Sequence, residues 1–107
     1  MSRTLNPEII SFDIFYHKLV DFVSSGQSCF SVRDKKEYTS WMDGKTICMS
    51  GVDRKSPSVY DTSTLINVFE TVKNGDDIKT EMLDKAVGRE RSPILALMIA
   101  SKVLNQS

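Results

Sequence analysis

The hydrophobic positions near the start of the chain repeat with the period of a helix. Asn6 is able to cap such a helix, Pro7 suits its first position and Gly26 is suited to stop it, so we predict a helix over residues 7–25. At about 100° per residue its apolar side chains form one broad stripe, which is typical of a helix that faces a core. The stripe consists of Ile9, Phe12, Phe15, Tyr16, Leu19, Val20, Phe22 and Val23. We therefore expect this helix to supply much of the core.

From residue 28 to residue 50 the pattern changes to one that favours strands, with β-branched and aromatic side chains between short polar turns. The dipeptide Asp43-Gly44 tolerates the positive φ angles of a two-residue type I′ turn, so we predict a hairpin there. An earlier strand over residues 29–33 is placed to join this hairpin. The predicted register sets Trp41 opposite Thr46 and Tyr38 opposite Met49. The result is a small antiparallel sheet of two or three strands.

Three more helices are predicted in the second half of the chain. The first is capped by Asp61 or Thr62 and ends at Asn74-Gly75, and the second begins at Asp76 and Asp77 and stops near Gly88. The third begins at Ser92-Pro93 and continues as far as Leu104, with apolar residues in nearly every direction. Such a helix is either the central helix of the core or partly an oligomer interface. We therefore expect an α+β fold with one N-terminal helix, the small sheet and three C-terminal helices.

Length and composition limit the class of protein. A chain of 107 residues, 40% hydrophobic and 26% charged, is expected to form a single compact domain over residues 1–107. Its formal net charge of zero gives no field that attracts nucleic acid or an anionic membrane. The longest apolar run, residues 94–100, is far shorter than the roughly 20 residues of a membrane span. With no secretory signal pattern, we expect a cytoplasmic protein whose two cysteines are reduced.

No motif for catalysis, metal binding or cofactor binding is recognisable. His17 is the single histidine, and neither Cys29 nor Cys48 has a second thiol at zinc-site spacing. There is no nucleophile elbow, phosphate-binding loop or dinucleotide-binding turn. We therefore expect a non-enzymatic protein without cofactor or metal. The third choice among functions is a small enzyme of unfamiliar type.

A group of residues on the back of the first predicted helix is a candidate partner-binding surface. Ile10, Ile14, His17 and Asp21 lie within about 60° of one another on that helix, opposite the aromatic stripe. An exposed apolar pair with a polar edge is typical of a protein interface. The alternative is that other elements cover both isoleucines as part of the core. Trp41 in the hairpin is the fifth candidate partner-binding residue.

Two basic regions are candidates for anion binding. The hairpin combines aromatic and basic residues, as sites for single-stranded nucleic acid do, but its acidic residues leave a net charge of only +2 over residues 33–55. The residues concerned are Arg33, Lys35, Lys36, Tyr38, Trp41, Lys45, Arg54 and Lys55. Arg89 and Arg91 precede a helix start, where backbone N–H groups attract anions. A salt bridge to Glu90 or Asp84 is the alternative use of these arginines.

These patterns favour a small protein-binding domain that acts as an adaptor, a regulatory subunit or a stoichiometric inhibitor of a larger protein. Its partner is expected to be another protein, itself as a homodimer, or both, because a small sheet leaves edges and one face to be covered. Phages and mobile elements are one possible source of such a domain. The alternative function is nucleic-acid binding through the hairpin, Arg89 and Arg91.

Overall fold

The computed structural model describes residues 3–32, 35–51, 55–74 and 77–106, and these form an α+β fold as predicted. The strands are β1 (Arg3–Leu5), β2 (Cys29–Phe30), β3 (Glu37–Asp43), β4 (Thr46–Gly51), β5 (Ser58–Tyr60) and β6 (Leu104–Gln106). The α-helices are α1 (Phe12–Ser24), α2 (Thr62–Val72), α3 (Asp84–Val87) and α4 (Arg91–Ala100). Two 3-10 helices, Thr80–Leu83 and Gly88–Glu90, flank α3.

The main sheet has four antiparallel strands in the order β2-β3-β4-β5, which corrects the prediction of two or three strands. The missed strand, β5, is only three residues long and is followed directly by the Asp61 cap of α2. So short a segment gives almost no periodic signal. The strand predicted over residues 29–33 corresponds to β2, which is shorter because it ends at Phe30. Arg33, the last residue of the predicted strand, lies outside the described residues.

The hairpin between β3 and β4 has a different turn from the predicted one. Asp43 pairs with Thr46, so the two loop residues are Gly44 and Lys45. Gly44 has a φ of +64° whereas Lys45 does not have a positive φ, and this combination is that of a type II′ turn. The register is consequently shifted by two residues, and Trp41 lies opposite Cys48. Because a shift of two keeps every side chain on its own face, the prediction of which residues share a face is unaffected.

A second sheet, absent from the prediction, pairs β1 with β6. It exists because α4 ends at Ala100, four residues before the predicted end at Leu104. The amide of Lys102, whose φ is +67°, donates to the Ile99 carbonyl, and the amide of Val103 donates to that of Met98. These two bonds form a Schellman motif, which ends a helix and redirects the chain. No glycine marks this position, so the sequence pattern does not show it.

Helix α1 begins at Phe12 rather than at Pro7. Its N-cap is Ser11, whose hydroxyl accepts from the Ile14 amide at 3.4 Å. Asn6 instead closes a short turn, in which its side-chain oxygen accepts from the backbone N–H of Glu8. The backbone N–H of Asn6 donates to the Val103 carbonyl. The polar groups of Asn6 are therefore used to hold the segment before α1 against the segment after α4.

The chain between α2 and α4 is also more broken than predicted. Instead of one helix it contains the 3-10 turns and the four-residue α3, and α4 begins at Arg91 rather than at Ser92. The predicted junction residues Gly75 and Asp76 lie outside the described residues. The predicted apolar positions nevertheless face inward, since Ile78 and Leu83 are buried.

The core lies between α1, α2, α4 and one face of the main sheet. Phe15, Leu19 and Val23 of α1 are buried, which confirms the predicted stripe, and six consecutive residues of α4 from Pro93 to Met98 are buried as expected of a central helix. Helix α1 packs against β3, and the hydroxyl of Tyr16 donates to the Lys45 carbonyl at 2.7 Å. Among the described residues no helix has the length and apolar character needed to cross a membrane.

Candidate functional site

The face of the main sheet that points away from the helices carries a row of apolar side chains. We call it the outer face. Trp41 of β3, Cys48 of β4 and Val59 of β5 are direct cross-strand neighbours there. Trp41 is 41% exposed and Val59 is 60% exposed, whereas Tyr38 and Tyr60, on the opposite face, are buried. The row thus reaches from the central strands to the edge strand β5, and an exposed apolar row of this kind is a feature of surfaces that bind other molecules.

Phe30 extends the apolar character of the outer face onto β2. It pairs with Glu37 of β3, which places it on the same face as Trp41, and it is 55% exposed. Trp41 is among the candidate residues predicted from the sequence, whereas Phe30 and Val59 are not. The segment Ser58, Val59 and Tyr60 is short but compatible with a strand, in which Val59 faces opposite to its two neighbours. Which of the two faces points outward depends on how the strand pairs with β4.

The charged residues at the strand positions of the outer face are acidic. Glu37 and Asp43 lie near the two ends of β3, with Thr39 and Trp41 between them on the same face. The Glu37 carboxylate accepts from the Ser28 hydroxyl at 2.6 Å. Neither carboxylate forms an ion pair with a described residue. The outer face is therefore an apolar surface with negative charge at both ends of its longest strand.

The two cysteines lie on opposite faces of the sheet and are both free. Cys48 is 6% exposed even though it faces outward, between its cross-strand neighbours Trp41 and Val59. Burial raises the pKa of the Cys48 thiol, and the negative charge of Asp43 raises it further. Burial likewise raises the pKa of Cys29, to about 11. Both thiols are therefore protonated and poorly nucleophilic near neutral pH.

The partner-binding residues predicted near the start of the chain do not form one continuous stripe. Ile14, His17 and Asp21 lie on α1, but Ile10 precedes the helix and its cap. Ile10 is 80% exposed, whereas Ile14 is half-buried and packs against the core. His17 and Asp21 are exposed, and Nδ1 of His17 lies 2.7 Å from the Asp13 carbonyl oxygen. Of the two isoleucines, only Ile10 is thus available as an apolar surface contact.

This difference predicts unequal effects of the same substitution. Ile10→Asp should change the free energy of unfolding by less than about 0.5 kcal/mol, because the side chain is already in water. Ile14→Asp should lower that free energy by about 1 kcal/mol or more, because it removes apolar contacts and partly buries a carboxylate. Urea denaturation of the two single variants measures both effects. Equal stability of the two would show that Ile14 is as free as Ile10.

The predicted anion-binding pair is only partly described. Arg91 forms an ion pair with Asp84 through Nη1, which is one of the alternatives that the sequence left open. The side chain of Arg89 lies outside the described residues, as do Arg33 and Arg54 of the basic hairpin region. Arg91 does line a polar cleft together with cationic residues from other segments.

Comparison of the chain with known protein families, with curated proteins and with solved structures gives no match. Among the described residues, no three histidine, cysteine or acidic side chains come together in a way that would hold a metal ion. A function must therefore be inferred from the surfaces themselves, and three of the five exposed large hydrophobic side chains among the described residues, Phe30, Trp41 and Val59, lie on the outer face.

Proposed function

We propose that this protein is a protein-binding domain and that the outer face of its main sheet is the binding surface. The partner is a protein that presents an apolar surface flanked by lysine or arginine. The observation that supports this proposal is the exposed row of Trp41 and Val59 across β3, β4 and β5, with Phe30 farther along the same face, opposite Glu37 at the start of β3. Half-exposed aromatic side chains on a preformed surface are common anchors of protein interfaces, because they bury a large area at small entropic cost.

The charge at the ends of β3 decides between classes of partner. Glu37 and Asp43 would repel the phosphates of a nucleic acid that stacked its bases on Trp41, which makes the outer face a poor nucleic-acid site. A second copy of the chain that stacked on this face, related by a two-fold axis along β3, would bring each of these carboxylates against its own counterpart. Basic side chains on a different protein would instead be attracted to both ends of the strand.

The biological roles that fit this surface are those expected from the sequence: an adaptor, a regulatory subunit or a stoichiometric inhibitor of a larger protein. Each of these needs a stable folded surface and no reacting group. We further propose that the protein acts in the cytoplasm, on the grounds of composition given above. A second copy of the chain, which would form the homodimer expected from the sequence, is the alternative partner for the outer face.

The experiment compares one substitution at two exposed apolar residues. Val59→Asp places a charge at the β5 end of the apolar row on the outer face, and Ile10→Asp places the same charge on a separate surface as a matched control. Partners are captured from cells that naturally produce the protein and identified by mass spectrometry. The purified partner is then titrated against both variants and the unmodified chain.

We expect Val59→Asp to weaken binding of the purified partner by about tenfold or more, the size of an interface hot spot, and Ile10→Asp to leave it unchanged. Asp43→Lys should weaken the same complex through charge repulsion. A partner that binds Val59→Asp and Trp41→Ala as tightly as the unmodified chain would exclude the outer face. Light scattering that shows a dimer lost only in Val59→Asp would identify a second copy as the occupant.

A further inference from the structure

A polar cleft of about 620 Å³ lies where β1, the β2–β3 connection and the start of α4 meet. Cationic side chains reach it from all three segments: Arg3, Lys36 and Arg91. Its apolar wall includes Tyr38 and Leu95, both buried. The cleft is therefore on the helical side of the sheet, away from the outer face, and its volume is in the range of sites for small molecules.

Arg3 is fixed in place by the segment that precedes the first 3-10 helix. Its amide donates to the Asp77 carboxylate at 2.9 Å, and its carbonyl accepts from the Ile78 amide at 2.6 Å. Its Nε–H donates to the Ile78 carbonyl at 3.2 Å. These bonds hold the guanidinium while leaving both terminal amino groups for another acceptor. Arg3 is half-buried and forms no ion pair with a described residue.

The other groups at the cleft complete a set of donors. Arg91 is held by its ion pair with Asp84, which does not line the cleft, and its guanidinium carries further N–H groups. The hydroxyl groups of Ser31 and Ser92 also line the cleft. Glu81, at the exposed rim, is the one carboxylate among the described lining residues. The described lining residues thus include three cationic side chains, of which Arg91 already pairs with Asp84, and one carboxylate.

We propose that this cleft binds a phosphate group, either as free phosphate or as the phosphate of a small monoester, through Arg3, Lys36 and Arg91. Two arginine forks and an ammonium group approach from three chain segments, which suits the three terminal oxygens of a tetrahedral phosphate. A carboxylate offers only two oxygens in one plane. The volume beyond the phosphate leaves space for the organic part of a monoester beside the apolar wall.

The test uses the full chain and two probes, inorganic phosphate and adenosine monophosphate. Each is titrated by calorimetry and followed by two-dimensional NMR of backbone amides and arginine Nε–H groups, with sodium chloride at matched ionic strength as the reference. Lys36→Gln is the main variant, because Lys36 is exposed and its loss is tolerable for folding. Arg3→Gln is the second variant, and Lys45→Gln, in the hairpin turn, is the matched control.

We expect at least one probe to bind and to shift the signals of Arg3, Ser92 and Lys36, while chloride does not. Lys36→Gln and Arg3→Gln should each weaken binding by about tenfold, as loss of a charged hydrogen bond does, and Lys45→Gln should not. Tighter binding of the nucleotide would assign the cleft to a monoester, and tighter binding of phosphate to the free ion. Absence of binding by both probes, or equal binding by Lys36→Gln and Lys45→Gln, would overturn the proposal.

Discussion

Replacing Phe15 by alanine is expected to lower the free energy of unfolding by about 3–5 kcal/mol, a large part of the stability of a small domain. Phe15 is completely buried in α1. Its ring centroid lies 5.2 Å from that of Phe69 in α2 and 6.0 Å from that of Phe12. Truncation would therefore remove aromatic contacts between two helices and leave a cavity that the rigid sheet behind α1 cannot readily fill.

Phe22→Ala is the matched control for Phe15→Ala. Phe22 has the same side chain on the same helix, but it is half-buried, so less apolar surface returns to water on truncation. Urea denaturation of both variants measures the difference between their free energies of unfolding, if the same dependence of that free energy on urea concentration is assumed for each. A loss at Phe22 as large as the loss at Phe15 would show that α1 faces the core at a different angle.

The sequence was sufficient for the elements whose signal is local. The apolar stripe of α1 and the continuous apolar stretch of α4 are properties of consecutive residues, so a helical period shows them without knowledge of the rest of the fold. The strand-like alternation around Trp41 is equally local. These patterns predicted the α+β class and the presence of the hairpin.

The rest depends on contacts between distant residues. Strand β1 pairs with β6 about a hundred positions later, and three residues of either strand carry no usable period. The outer-face position of Val59 is set by pairing with Cys48, and the cleft brings together Arg3, Lys36 and Arg91. No window of the sequence contains such a group. The position and type of the hairpin turn were also predicted wrongly, because Asp43-Gly44 is compatible with a type I′ turn whereas the two loop residues are Gly44 and Lys45.

Adding a methyl group at Gly51 is expected to cost about 1–3 kcal/mol of stability, a typical effect of overpacking. Gly51 lies opposite Tyr38, and a Cβ atom there would lie 2.9 Å from Cδ1 and 3.0 Å from Cε1 of the tyrosine ring. Tyr38 is only 6% exposed, so its ring has little room to move aside. Sequence patterns draw attention to Gly44, whose positive φ disfavours other residues, but they give no reason for a glycine at position 51.

A double-mutant cycle separates this steric cause from an effect on the backbone. Gly51→Ala is measured alone and in a Tyr38→Leu background, with Gly44→Ala treated in the same two backgrounds as the control. If the ring is the obstacle, Gly51→Ala should become nearly neutral once Tyr38 is leucine, giving a coupling energy of about 1 kcal/mol or more. Gly44→Ala should cost the same in both backgrounds, because its strain comes from the φ angle and no atom beyond its two chain neighbours lies within 4 Å of its added Cβ. Equal costs of Gly51→Ala in both backgrounds would contradict the close packing of Tyr38 on Gly51, and with it the observed register of β3 and β4.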